Sequence, residues 1–234
     1  MRTRVRTEIR DGAKAAWPIC LGYVPIGLAF GVLAQKAGLG PWKVALMSAL
    51  VFAGSSQFIA VAMLQAGAGI GPIVATTFVV NVRHALMSSS LAVPLTGAGR
   101  WFLALFAYGI TDESFALNMS RFRQAGWDRW RALTLNHAAN LAWIASAVAG
   151  AHAGHLIPPR AFGIDYALIA MFLCLLVLQL RSRVHALTAL LSGAVALALY
   201  LTLPGNGYVV LGAVVGATAG LALRRLASAK KGLS

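Results

Sequence analysis

Only two of the six carboxylates in this 234-residue chain stand in an apolar setting, and they are neighbours: Asp112 and Glu113. Glu8 and Asp11 lie in a basic N-terminal segment and Asp128 in a basic loop. Asp165 opens an apolar stretch, where a carboxylate suits a helix N-terminus. Adjacent helical residues diverge by about 100°, so Asp112 and Glu113 point to different surroundings. They precede Arg121 by eight or nine residues, about 12–14 Å of helix. Carboxylates at that depth in an apolar segment are costly and call for a partner or a hydrated cavity. Two kinds of chemistry fit: carrying a coupling proton, or anchoring a substrate ammonium group. A fixed ion pair with Arg83 is the plain structural alternative.

Arg83 sits near the middle of GPIVATTFVVNVRHALMSSSLAVPL. On a helix, Thr77, Asn81, His84 and Ser88 fall within about 60° of one another, while Thr76, Arg83 and Ser90 form a second stripe on the far side. A helix polar on two faces must be enclosed by other helices or border a cavity. Farther on, LTLNHAANLAWIAS brings Asn136, Asn140 and Trp143 to one face, with His137 beside it. Amides in a bundle serve helix–helix hydrogen bonds more often than ligands. Nearer the N-terminus, Gly22–Gly27 contains Pro25 and Gly27, and Ala53–Phe58 contains Gly54, Ser55, Ser56 and Gln57. Proline removes a backbone donor and glycine lets the chain open, so both segments are expected to interrupt their helices. Interrupted helices at membrane depth are tolerated only where they are buried in protein or line a cavity, and in transporters half-helix N-termini often point at the anionic group of a substrate. Gly212, Gly216 and Gly220 recur every four residues, a face made for close helix approach.

The elements that hold these residues are membrane helices. Apolar residues make up 59% of the chain and charged residues 11%, against roughly 25% charged in a soluble domain. Mean hydropathy is +0.75. Too few charges remain to coat a soluble fold, which excludes a soluble enzyme, a disordered chain and a disulfide-rich module. Eight apolar stretches can be drawn: about 17–35, 43–66, 71–95, 101–119, 132–156, 165–180, 185–203 and 207–223. The fold expected is an all-α polytopic bundle of about eight spans with interrupted helices. Its single transmembrane domain, 17–223, lies between a basic arm, 1–16, and a basic tail, 224–234. The first stretch has no clear small-residue cleavage site after it and reads as a span rather than a signal peptide.

Net charge is +14, and the basic residues, Arg83 apart, lie between the apolar stretches or at their ends. With the N-terminus inside and eight crossings, fifteen Lys/Arg fall on the cytoplasmic side, and Lys36, Lys43, Arg100 and Arg160 outside. That bias puts both termini in the cytoplasm. The connection Gly67–Gly71 has no charge to fix its side. Basic patches interleaved with aromatics are missing, so nucleic acid is not an expected partner. Cys20 and Cys174 sit singly in apolar stretches, and His152 and His155 lack carboxylate or thiolate support, so no metal or cofactor is expected. Ser55 or Ser56 with His84 or His137 would supply a nucleophile and base, but no hydrolase signature specifies such a pair. The chain reads as a non-enzyme. A membrane scaffold or sensor would explain the basic ends and the glycine face, but not two polar faces on one span.

Taken in order, four motifs resemble the AzlC-type branched-chain amino acid permeases: GYVPIGLAFGVLAQKAGL, VFAGSSQF, Asn81-x-Arg83-His84 and TDESFAL. The later IPPRAFGIDYALIAMF is similar to the same family's loop and following span, and the resemblance covers roughly residues 15–200. It implies the large subunit of a two-component exporter in the bacterial cytoplasmic (inner) membrane. Such a secondary transporter moves valine, leucine, isoleucine and sometimes methionine outward. Its partner would be a small AzlD-type membrane subunit. For that cargo, the substrate carboxylate is expected at the opened segments Gly22–Gly27 and Gly54–Gln57, aided by Arg83. Asp112 or Glu113 would take the ammonium or the coupling proton, and Asn81 and His84 would complete the polar wall. Export and uptake, and other small solutes, stay open at this point.

Overall fold

The computed structural model describes residues 2–124, 126–156, 173, 176–177, 180, 183–202, 211–212, 214–216 and 218–222. Their regular structure is entirely helical. The sixth stretch, Cys174, Asp165 and the basic tail lie largely or wholly outside these residues. The chain divides into two compact units, one from segments 1–62 and 80–165, the other from 63–79 and 166–234.

The first unit is built on two parallel helices, α1 (Arg2–Lys36) and α7 (Arg129–Ala153). The basic arm is thus the first turns of α1 and continues into the span. Glycines set the approach of the pair. A Cβ on Gly31 would collide with the Ala147 carbonyl, and one on Gly150 with the Leu28 carbonyl. Near one end, Arg131 reaches Asp11 at 3.3 Å, and near the other Gln35 Nε2 lies 3.1 Å from His155 Nδ1. Asp128 caps α7 by accepting from the Trp130 and Arg131 amides.

Between α1 and α7 in sequence come α2 (Pro41–Leu50), α3 (Gly54–Gln65), α4 (Ile70–Ala92), α5 (Arg100–Tyr108) and α6 (Asp112–Phe122). The second expected span is broken, at Val51–Ala53 between α2 and α3, and Gly54–Gln57 form the first turn of α3. The fourth is broken too, at Gly109–Thr111, which the sequence reading drew as one helix. Conversely, α1 runs unbroken through Pro18 and Pro25, although an opening was expected at Gly22–Gly27. The physical reason is that a proline withholds only one amide, and the rest of the turn stays packed. Pro25 and Gly22 lie on the exposed side of α1, while Gly27 faces α7, where a Cβ would strike Ser146.

Both breaks are fold-backs. Gln57 Nε2 donates to Ser48 Oγ across the first at 3.2 Å, which a straight helix would not allow for residues nine positions apart. At the second, Phe102 near the start of α5 and Phe122 at the end of α6 join one apolar cluster with Leu95 and Trp127. Phe102 also meets Trp130 edge-on at 5.4 Å and lies under the Arg129 guanidinium at 5.8 Å. Both ends of this fold-back therefore sit beside the N-terminal end of α7.

Three described helices are long and apolar enough to cross a membrane: Arg6–Lys36, Ile70–Leu95 and Val184–Thr202. On α4, Ile70, Phe78 and Leu86 are exposed, as residues facing lipid would be. In the second unit, α8 (Arg183–Thr202) takes the glycine face predicted from the sequence. Gly212, Gly216 and Gly220 meet Ala196, Ser192 and Thr188 in that order, so the two segments run antiparallel.

Candidate functional site

The two breaks meet. Tyr108, the last residue of α5, donates its hydroxyl to the Ala49 carbonyl near the end of α2 at 2.5 Å. Polar side chains from α1, α3, α4 and α6 gather around this point.

Why the chain breaks at Gly109–Thr111 is visible in its hydrogen bonds. Thr111 is an N-cap whose hydroxyl accepts from the Ser114 amide, and Ser114 Oγ accepts from the Thr111 amide at 2.8 Å. This reciprocal cap satisfies donors that an apolar environment would punish. It leaves Asp112 and Glu113 in the first turn of α6, where a negative charge interacts favourably with the helix end.

Their side chains diverge as expected. Asp112 Oδ2 pairs with Arg83 Nη1 at 2.8 Å, while Glu113 Oε2 accepts from the Tyr23 hydroxyl at 2.7 Å. Tyr23 is also 2.8 Å from Thr111 Oγ1. Arg83 spends its other terminal nitrogen on Ser55 Oγ at 2.7 Å. One guanidinium on α4 thereby ties the start of α3 to the start of α6. The pair is not sealed: the Arg83 and Asp112 side chains keep 36% and 53% of their surface accessible. A fixed buried ion pair is a poor description of such a contact.

Beside Arg83, Ser56 Oγ donates to Asn81 Oδ1, and His84 lies against the backbone at Ile110 with Nε2 buried and unpartnered among the described residues. Of the two stripes expected on this helix, Asn81, His84 and Arg83 reach the breaks, whereas Thr77 and Ser90 bond carbonyls of their own helix. Gln57 turns away from the ion pair. It is fully buried, accepts from Trp143 Nε1 at 2.8 Å and fixes the first fold-back. Gly54 lies under the Trp143 ring, where a Cβ would come within 3.1 Å.

The remaining candidates divide. Pro25 and Gly27 lie in the unbroken part of α1 and do not join the cluster. Asn136 is a packing residue, accepting from Asn118 at 2.9 Å and donating to the Phe106 carbonyl at 3.2 Å. Asn140 is buried with its Nδ2 unpartnered among the described residues. Tyr23, Thr111 and Trp143 were given no role from the sequence, yet they hold the two carboxylate-bearing and serine-bearing turns in place. The T-x-x-S spacing of Thr111 and Ser114 was the signal for one of them. From the sequence, Tyr23 stood only within the Gly22–Gly27 segment, and Trp143 only on a face shared with Asn136 and Asn140. Among the described residues, no group of three His, Cys, Asp or Glu could hold a metal ion.

No solved structure matches the chain. The chain is 26% identical over 213 residues to the branched-chain amino acid transport protein AzlC of Bacillus subtilis (strain 168), covering 89% of this chain and 82% of the relative. It is 29% identical over 194 residues to the inner membrane protein YgaZ of Escherichia coli (strain K12), covering 80% and 79%. An uncharacterized membrane protein of Archaeoglobus fulgidus is 35% identical over 195 residues, covering 82% and 84%. The family model described as AzlC protein matches residues 18–157, which contain every residue of the cluster around the two breaks. The chain is a membrane protein of the AzlC family.

Proposed function

We propose that this protein is a secondary transporter that exports branched-chain amino acids across the bacterial cytoplasmic membrane, with valine, leucine and isoleucine as cargo and methionine as a further one. The observation that carries the reading is the accessible Arg83–Asp112 pair, held against Ser55 where two broken helices meet. A zwitterion presents the same two charges in reverse. On docking, its carboxylate takes the Arg83 guanidinium and the Ser55–Ser56 end of α3, where a helix N-terminus favours an anion. Its ammonium takes Asp112. The pair opens, and each charge exchanges one partner for another without a net change in buried charge. Asn81 and His84 supply the polar wall. Glu113, held by Tyr23, carries the coupling proton, and a proton gradient drives export. The AzlC relative's name supports the choice of cargo. Both termini lie in the cytoplasm, with residues 1–16 and 224–234 as its basic ends, and a small AzlD-type membrane subunit completes the transporter.

The test is efflux of labelled valine from proteoliposomes, with and without the small subunit. Arg83→Gln and Asp112→Asn should each lower efflux by more than about tenfold, the loss of roughly 1.4 kcal/mol or more of binding. Glu113→Gln should leave valine binding and remove its dependence on the proton gradient. Unchanged efflux in all three variants at equal protein level rejects these roles.

A further inference from the structure

Four described glycines adopt left-handed backbone angles: Gly38 at φ 86°, Gly67 at 73°, Gly97 at 86° and Gly126 at 88°. Gly38 and Gly97 are 59 residues apart, and so are Gly67 and Gly126. The same step carries Gly40, which caps α2 at φ −64°, onto Gly99, which caps α5 at φ −66°. It carries Trp42 onto Trp101, Gln65 onto Gln124 and Asn81 onto Asn140. The first residue of α4, Ile70, lands on the first residue of α7, Arg129. The two breaks correspond to within a residue. A long helix followed by a folded-back pair therefore occurs twice: α1 with α2–α3, then α4 with α5–α6.

The contacts fix the direction of each copy. The α2–α3 pair starts just past the C-terminal end of α1, turns where Ala49 meets Tyr108, and returns with Phe58 against Phe30 at 5.2 Å. The α5–α6 pair starts beside Trp130 at the N-terminal end of α7, turns at the same place, and returns to Trp127 through Asn118. Leu91 and Leu95 join the Phe102–Trp127 cluster, so α4 runs opposite to α1 and α7. With 10 and 12 residues, α2 and α3 are about 15 and 18 Å long, half of a hydrocarbon layer of about 30 Å. With 9 and 11, α5 and α6 are no longer.

We propose that these are two copies of an inverted repeat: α1 and α4 cross the membrane, α7 crosses packed along α1 although it is more polar than the three helices named above, and the α2–α3 and α5–α6 hairpins dip in from opposite faces and stop at its middle. With the three later stretches counted as crossings, as the sequence reads, six of the eight apolar stretches cross and two do not. Both termini stay in the cytoplasm, because the number of crossings is still even. Arg100 moves to the cytoplasmic side, leaving Lys36, Lys43 and Arg160 outside, which strengthens the positive-inside bias. Resting on the transport function proposed above, the outer hairpin is the barrier on the external route to Arg83 and Asp112, and the inner hairpin the barrier on the cytoplasmic route.

Topology can be tested without transport, so the two readings fail separately. In a Cys20→Ser, Cys174→Ser background, single cysteines are placed as Gly40→Cys and Gly99→Cys, with open space around them, and as Gly69→Cys, where a Cβ would make only an ordinary contact with Pro72. A membrane-impermeant maleimide is applied to intact cells and to inside-out vesicles. Eight crossings put Gly69 inside and Gly99 outside. The inverted repeat predicts the opposite, with Gly40→Cys labelled in intact cells in either case. Labelling of Gly69→Cys in intact cells and of Gly99→Cys only in inside-out vesicles is the expected result. Labelling of Gly99→Cys from outside, or of Gly69→Cys only from inside, overturns the proposal. For the barriers, bulky maleimide adducts at Gly40→Cys and Gly99→Cys should each slow valine efflux in reconstituted protein. If efflux is unaffected while the labelling pattern holds, the topology stands and the hairpins are not the barriers.

Discussion

The turn between α2 and α3 is anchored mostly by neutral side chains, with one Arg83 bond to Ser55, and the turn between α5 and α6 by a self-made cap and charges. At the first, fully buried Gln57 spans from Ser48 to Trp143, and Ser56 reaches Asn81. At the second, Thr111 and Ser114 satisfy each other, and the carboxylates on either side of the helix start look outward to Arg83 and Tyr23. The first turn depends on the surrounding bundle for its shape. The second carries its shape with it and depends on the bundle for its charge balance. Equivalent positions have therefore taken on different work, a rigid seat on one side and an ionic contact on the other.

The comparison can be broken at the frame that both turns share. Gly150→Ala would drive a methyl group into the Leu28 backbone, and we expect a loss of about 3 kcal/mol, at the upper end of overpacking costs. Thermal unfolding in detergent would show it, and Gly22→Ala, with open space around it, should be neutral or slightly stabilising. Next in size is the neutral seat. Trp143→Phe leaves the buried Gln57 oxygen without a donor, a cost of about 1–3 kcal/mol. If that account is right, Gln57→Leu in the same protein recovers part of the loss. A double variant no more stable than Trp143→Phe alone would count against it. Smallest is the cap of the charged turn: Thr111→Ala should cost about 1 kcal/mol, and Thr111→Ser almost nothing. A larger effect from Thr111→Ala than from Trp143→Phe would reverse the assignment of which turn leans on the bundle.

Much of this could be read in the sequence, and the failures have physical causes. The scarcity of charge makes the membrane class plain, and the two isolated carboxylates and Arg83 had few partners besides one another. The glycine face at Gly212–Gly220 followed from spacing alone. Pro25 misled, because a proline on the outer side of a packed helix costs one hydrogen bond and not the helix. Gly109 and the Thr111–Ser114 cap were passed over because they sit inside a stretch apolar enough to span. Hydropathy measures whether a segment tolerates lipid. It is blind to whether twenty such residues go straight through or turn back, and at Val51–Ala53 and Gly109–Thr111 that distinction decides where the charged groups meet. Tyr23 and Trp143 gain their roles only from partners about 90 residues away in the chain.

The glycine seam between α1 and α7 bears on how such a molecule could move. Where Gly31 meets Ala147 and Gly150 meets Leu28, main chain rests directly on main chain, with no side chain between them to change rotamer. Sliding or rolling one rod on the other would bring carbonyls into collision within a fraction of an ångström. The two thus act as a single stiff beam, and any rocking in this half of the protein must come from parts that swing against it.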